Sequence, residues 1–143
     1  MAPPAWLVPQ LMNDLFGWMQ EAEKEIHPLI LSSIFHYEFV FIHPFSDGNG
    51  RMARMWHTVI LSQWKPIFEY IPIESQIEKF QEEYYDSIAK CHVDGASTIF
   101  IEFMLSQIDR IYNCLCGLVI DRDHNAAINI LQEGLRLLRE EAV

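Results

Sequence analysis

Residues 28–42 read "PLILSSIFHYEFVFI", an apolar run interrupted only by Ser32, Ser33, His36 and Glu38. Wound as a helix, such a run is apolar nearly all the way round, so other elements must enclose it. Pro28 suits a helical first turn, where its missing N–H is not needed. Phe, Val and Ile also form strands, which leaves a buried strand as the alternative. Length favours the helix, because the run exceeds the usual strand. It is also too short and too interrupted to cross a bilayer. The rest of the chain has to be arranged around this segment.

The flanking segments have the pattern of an enclosure. From Val8 onward, Leu11, Met12, Leu15, Trp18 and Met19 recur at spacings of three and four, predicting an amphipathic helix to about Lys24. Pro3-Pro4 before it is extended. Arg51 to Trp64 places Met52, Met55, Trp56, Val59 and Ile60 at helical spacing and stops at Lys65-Pro66. "IPIESQIEKFQEEYYDSIAKCH" repeats the pattern through Ile73, Ile77, Phe80, Tyr84 and Ile88, as one helix ending before Asp94-Gly95. Ser97 or Thr98 is placed to cap "TIFIEFMLSQIDRIYNCL", and the last segment, "DRDHNAAINILQEGLRLLREEAV", reads as a terminal helix. No run alternates like a half-buried strand, and there is no internal repeat. The expectation is an all-α fold of five to six helices around a buried central one. Met12, Met19, Met55, Met104, Trp18, Trp56 and Phe103 fall on apolar stripes and are expected in the core. His36 and His57 are expected to be hydrogen-bonded helix residues.

With 143 residues, half of them hydrophobic, the chain can bury a real core. A formal charge of -10 excludes broad, non-specific nucleic-acid binding. It leaves room for a nucleotide, which needs only two or three arginines in one pocket. Cys91, Cys114 and Cys116 are odd in number and include a C-x-C too tight for an ordinary bridge. No secretory pattern opens the sequence, so a reduced cytoplasmic compartment, away from membranes, is expected.

The stretch His43 to Arg54, "HPFSDGNGRMAR", joins two expected helices. Gly48, Asn49 and Gly50 accept turn conformations and lead into a helix expected to start near Arg51, whose free first-turn N–H groups form an anion site. Arg51 and Arg54 are three apart and leave one face of the same turn, as paired phosphate ligands would. Asp47 offers a hard oxygen suited to magnesium on a phosphate. His43 stands where an imidazole can take a proton from an attacking hydroxyl. Pro44 and Phe45 read as structural, with Phe45 plugging the core beneath the loop. A D-G-N-G turn beside a lone histidine is common between helices. The joint presence of base, acid, anion nest and paired arginines is what points to phosphate chemistry.

This stretch resembles the Fic family signature H-P-F-x-D-G-N-G-R-x-x-R at every fixed position, and the likeness runs from "APPAWLVPQLMNDL" through "FIEFMLSQI". The resemblance implies an all-α domain over residues 1–112 that transfers AMP from ATP to a Ser, Thr or Tyr hydroxyl of a protein. It implies His43 as the base and Asp47 as the magnesium ligand. Gly48, Asn49 and Gly50 would cradle the α and β phosphates, with Arg51 and Arg54 on the β and γ phosphates. Tyr84 and Tyr85 match a tyrosine pair that contacts the nucleoside, and His92 stands where the family often has Asn. Gly50 is intact, unlike in the Doc-like kinase branch, which has lysine there.

Two departures shape the expectation. The likeness begins at the segment that follows a β-hairpin flap in the family, implying a domain without that flap and its preceding helices and with uncovered apolar surface. From about Cys114, "CLCGLVIDRDHNAAINILQEGL" is similar to the end of OrfB-type insertion-sequence transposases. Cys114 and Cys116 supply half of a zinc ribbon, short of the four ligands a structural zinc needs. Asp123 belongs to a nuclease core this sequence lacks, so residues 113–143 are expected as a terminal helix without DNA cleavage. Asn129, Glu133 and Gly134 match the spacing of the family's inhibitory motif, a coincidence the transposase likeness already explains. The rival to adenylylation is a catalytically impaired remnant that binds nucleotide or serves as an interaction module, as a homodimer over its uncovered surface.

Overall fold

The computed structural model describes residues 3–115, with side chains as far as Ile111. Six α-helices follow one another in the described residues: α1 (Val8–Ala22), α2 (Pro28–Ile42), α3 (Asn49–Trp64), α4 (Ile73–Lys79), α5 (Gln81–Asp94) and α6 (Thr98–Leu115). A 3₁₀ turn at Pro66–Glu69 links α3 to α4, and no strand occurs among the described residues. The described residues as far as Ile111 form one compact unit. Of the terminal helix expected over 113–143, only residues 113–115 are described, as the end of α6; Cys116, Asp123, Asn129, Glu133 and Gly134 lie outside the described residues. No described helix is long and apolar enough to cross a membrane.

The helix α2 is the buried centre. His27 caps it by accepting from the Leu29 N–H at 3.3 Å, and Pro28 occupies the first turn. One face packs with α1 and α3: Leu31, Phe35, Phe39 and Ile42 cluster with Leu15, Ala53 and Ile60. Tyr37 looks the other way, into a cluster with Leu61, Ile73, Ile77, Tyr84, Cys91, Phe100, Met104 and Ile111. Between two cores, the helix keeps only a narrow stripe open, where Ile30 is 39% and Phe41 40% exposed. Phe35 and Phe39 are at most 2% exposed, and burying each stabilises the fold by about 1.5–3 kcal/mol. Ser32 and Ser33 are tolerated here because both hydroxyls donate to the Leu29 carbonyl, at 3.2 and 2.8 Å.

Three local expectations are corrected. The segment after Pro72 is two helices, because Phe80 leaves helical geometry at φ -116°, ψ 37° and its ring takes the Arg110 guanidinium at 4.6 Å. The apolar spacing of three and four continues across that kink, so periodicity did not reveal it. Met55 is half exposed, and so is Phe45, whose ring only flanks Phe39 at 6.3 Å. Between α1 and α2 an apolar groove of about 390 Å³ is lined by Leu11, Leu15, Trp18, Ile34 and Phe41, with Asp14 and Glu38 at its edge.

The core holds two histidines with no exposure at all, His36 and His57, their rings 5.7 Å apart. His36 bonds Tyr84, as a helix histidine was expected to do. His57 does not meet that expectation, since neither of its ring nitrogens has a hydrogen-bond partner among the described residues. Burial pushes His57 down to about 4, against a smaller opposing pull from the Ser32 backbone. Burial, then His57, then Arg54 push His36 well below the ordinary range. Both rings are therefore neutral in the fold.

The unfolded chain takes up these protons first, at the ordinary value of 6.5, so stability falls as pH drops from about 6.5 towards 4. For His57 alone the loss is on the order of 3 kcal/mol. His57→Leu should lower the acid midpoint and reduce the pH slope of urea-measured stability by about one proton; an unchanged slope would assign the proton elsewhere.

Candidate functional site

The helix α2 ends in a residue under strain. His43 is its C-cap, its N–H donating to the Phe39 carbonyl at 3.1 Å, and it adopts φ 55°, ψ 56°. It is the single non-glycine residue with positive φ among those described. Holding an L-residue in the left-handed region costs roughly 1–2 kcal/mol. The surroundings enforce it, and the imidazole is thereby turned to solvent at the head of the loop.

The loop closes on its own asparagine. The Asn49 side chain, 4% exposed, accepts from the Phe45 N–H at 2.9 Å and donates to the Phe45 carbonyl at 2.7 Å. These reciprocal bonds pin residues 45–49 into one turn and commit the Asn49 amide to the protein. Gly48 makes the remaining bend at φ 83° as the N-cap of α3. The helix therefore starts at Asn49, two residues earlier than Arg51, and of the three turn residues only Gly48 uses positive φ. The first intrahelical bond runs from the Met52 N–H to the Gly48 carbonyl at 3.0 Å, and no side chain caps the helix. The amides of Asn49, Gly50 and Arg51 lie ahead of that bond, at the positive end of the helix dipole.

Both arginines fold back over the glycines. A Cβ on Gly48 would lie 3.4 Å from the Arg51 guanidinium, and one on Gly50 would lie 3.3 Å from that of Arg54. Arg51 pairs with Asp47 at 3.4 Å, with both side chains largely exposed, so this contact is weak and easily exchanged. Arg54 is held more closely, its side chain 19% exposed and its Nη2 3.2 Å from Glu74 Oε1. The tyrosines differ sharply. Tyr84 is 3% exposed and Tyr85 59%, with rings 5.3 Å apart. Burial raises the Tyr84 hydroxyl to about 12, although Arg54 pulls the other way through its charge and its N–H groups. The Tyr84 hydroxyl lies 3.1 Å from His36 Nε2.

All nine residues singled out in the sequence, His43, Asp47, Gly48, Asn49, Gly50, Arg51, Arg54, Tyr84 and Tyr85, line one cavity of about 300 Å³, together with Val40 and Ser46. An adjoining hollow of about 260 Å³ shares Arg51, Arg54, Tyr84 and Tyr85 and adds Glu74, Ile77, Glu78 and Gln81. His92 does not line either one; its ring stands against Phe41 and Tyr37, at 5.3 and 6.4 Å. Glu74 was not singled out, because its partner lies twenty positions away and no local spacing marks the pair. Among the described residues no group of three or more acids, histidines or cysteines forms a metal cage. A cation here would rely on Asp47, on phosphate oxygens and on water, a donor set that suits magnesium.

Known proteins resemble this chain in sequence and in fold. Residues 1–61 match the family model of the Fic/DOC family, and residues 74–130 match a Cas12f1-like TNB domain, which begins well before Cys114. The chain is 33% identical over 102 residues to protein adenylyltransferase Fic of Nematostella vectensis, a match covering 69% of this chain and 22% of that one. It is 44% identical over 59 residues to a probable protein adenylyltransferase of Aquifex aeolicus, covering 41% of this chain and 18% of that one. The chain thus matches no more than 22% of the length of either relative. The crystal structure of a Fic family protein from Desulfovibrio desulfuricans superposes with a TM-score of 0.76 at 47% identity, over 85% of this chain and 38% of that one. Residues 1–61, which carry His43, the loop and both arginines, therefore belong to the Fic/DOC family.

Proposed function

We propose that this chain carries a nucleotide-handling site for protein adenylylation, transferring AMP from ATP to a Ser, Thr or Tyr hydroxyl of another protein. The observation that carries the reading is the single cavity in which an exposed imidazole, an exposed carboxylate, an uncapped helix tip and two guanidiniums converge. The relatives' names, protein adenylyltransferases, support the same chemistry.

In this scheme the α and β phosphates rest on the amides of Asn49, Gly50 and Arg51, and Arg51 and Arg54 turn from their carboxylates to the β and γ phosphates. His43 accepts the proton as the target hydroxyl oxygen attacks the α-phosphorus. The new P–O bond forms while the bond to the bridging oxygen breaks, and pyrophosphate leaves with that oxygen and its electron pair. The negative charge that spreads over the phosphates meets donors already aimed at them, which is where preorganised electrostatics lower a barrier most. A magnesium ion bound by Asp47 would neutralise part of the phosphate charge. Tyr85, open to solvent, is the wall available to the nucleoside.

A second reading, nucleotide binding without transfer, is favoured by the contact between Arg54 and Glu74, which a phosphate must displace. Incubation with labelled ATP and magnesium separates the two. Transfer of labelled AMP to protein is expected, reduced about 10²–10⁴-fold in His43→Ala, the usual worth of a positioned general base. Label undiminished in His43→Ala would remove the imidazole from the chemistry, and binding without label in the unaltered protein would favour the second reading. Gly50→Ala should weaken ATP binding, because its methyl group presses on Arg54 at 3.3 Å; unchanged affinity would show that Arg54 moves aside freely.

A further inference from the structure

Beside the candidate site, α1 and α2 leave between them the groove of about 390 Å³. From α1 come Leu11, Leu15 and Trp18, at helical positions i, i+4 and i+7. From α2 come Ile34, Phe41 and Ile42, at i, i+7 and i+8. Each wall therefore presents one apolar stripe along two helical turns, roughly 10 Å. Leu15 and Ile42, at most 5% exposed, lie deepest, and Phe41, 40% exposed, stands at the open side. A trough between two helices, apolar along both, has the shape that a third helix packs into with its own positions i, i+3, i+4 and i+7.

The polar groups of the groove carry one sign. Asp14 and Glu38 line it, and its lining holds no lysine, arginine or histidine. Glu38 lies four residues after Ile34 and four before Ile42, in the middle of the α2 stripe. It is partly buried, and burial pushes its carboxyl up. Neither acid forms a hydrogen bond or salt bridge among the described residues. A carboxylate set into an apolar stripe without a cation gives up hydration and gains nothing for it. An arriving ammonium or guanidinium supplies the missing partner. Charge thus selects among occupants that apolar area alone would not separate. An acidic helix meets like charge, and a second copy placed groove to groove sets carboxylates against carboxylates.

We infer that this groove docks an amphipathic helix of a partner protein, with the partner's apolar stripe on Leu11, Trp18 and Phe41 and its lysine or arginine on Glu38. Val40 and His43 line the candidate cavity while Phe41 and Ile42 line the groove, so the two share the last turn of α2. A helix seated in the groove is therefore held beside the exposed His43 imidazole. This docking is independent of the chemistry proposed for the cavity.

The test measures binding of synthetic helical peptides to the full chain without nucleotide. One peptide carries leucines at i, i+3, i+4 and i+7 with a lysine beside them, and its twin has glutamate in place of the lysine. The lysine peptide should bind about tenfold more tightly than its twin, and amide resonances of residues 11–18 and 34–42 should shift as it is added. Glu38→Gln, which keeps the shape of the side chain, should remove most of that preference, and Glu38→Lys should reverse it. Equal affinities of the two peptides for the unaltered protein overturn the inference, as do shifts confined to residues outside the groove. Decylamine binding more tightly than the lysine peptide would make the groove a site for small cationic amphiphiles. Groove resonances that shift on dilution of the protein alone would make its occupant a second copy. Either result overturns the inference. Should Glu38→Lys not fold, Glu38→Gln and the peptide pair decide the same question. With no nucleotide present, every one of these outcomes leaves the adenylylation reading where it stands.

Discussion

Enclosure of α2 between two apolar clusters is the constraint on which the rest depends. Its inner face is shared with α1 and α3 and its outer face with α4, α5 and α6. A helix gripped on both sides cannot rotate or slide without exposing phenylalanines to water. Its C-cap, His43, is therefore delivered to a fixed place, and the left-handed bend there sends the chain into the loop. The loop in turn needs little from its own sequence beyond Gly48 for the bend and Asn49 for the clamp on Phe45.

The same enclosure explains why polar residues survive inside. Ser32 and Ser33 bond back to their own helix, and His36 bonds across to Tyr84. His57 stays neutral with no partner among the described residues, an arrangement that lowers stability in acid. Buried polar groups of this kind are costly unless paired, and the paired ones here lead towards the cavity. In a chain with a net charge of -10, the hollow holding Arg51 and Arg54 is a local exception to the acidic surface. Both guanidiniums are already partnered by carboxylates, so an incoming anion exchanges partners and does not meet bare charge.

The two family matches divide the chain at a point where the core does not. Residues 74–111 fall within the Cas12f1-like match, yet Ile77, Cys91, Phe100, Met104 and Ile111 pack in one cluster with Tyr37 and Leu61. They also bring Tyr84 and Tyr85 to the cavity. Physically, α4, α5 and α6 as far as Ile111 fold with the residues of the Fic/DOC match.

Much of this was legible in the sequence, and for identifiable reasons. Helix periodicity recovered α1, α2 and α3 because each has a consistent apolar pattern, and the nine site residues converge because seven of them already lie close together in the chain between His43 and Arg54, with the tyrosine pair supplied by resemblance. The break at Phe80 was hidden, since a kink that preserves spacing leaves no mark on periodicity. The unequal burial of Tyr84 and Tyr85 was legible, because Tyr84 falls on the apolar stripe with Ile77 and Ile88 and Tyr85 falls beside it. Glu74 on Arg54 and His36 on Tyr84 are separated by 20 and 48 positions. Local order set down the helices and the loop. Only the packing of distant helices decided which side chains hold the arginine, because those contacts exist nowhere until the core has closed.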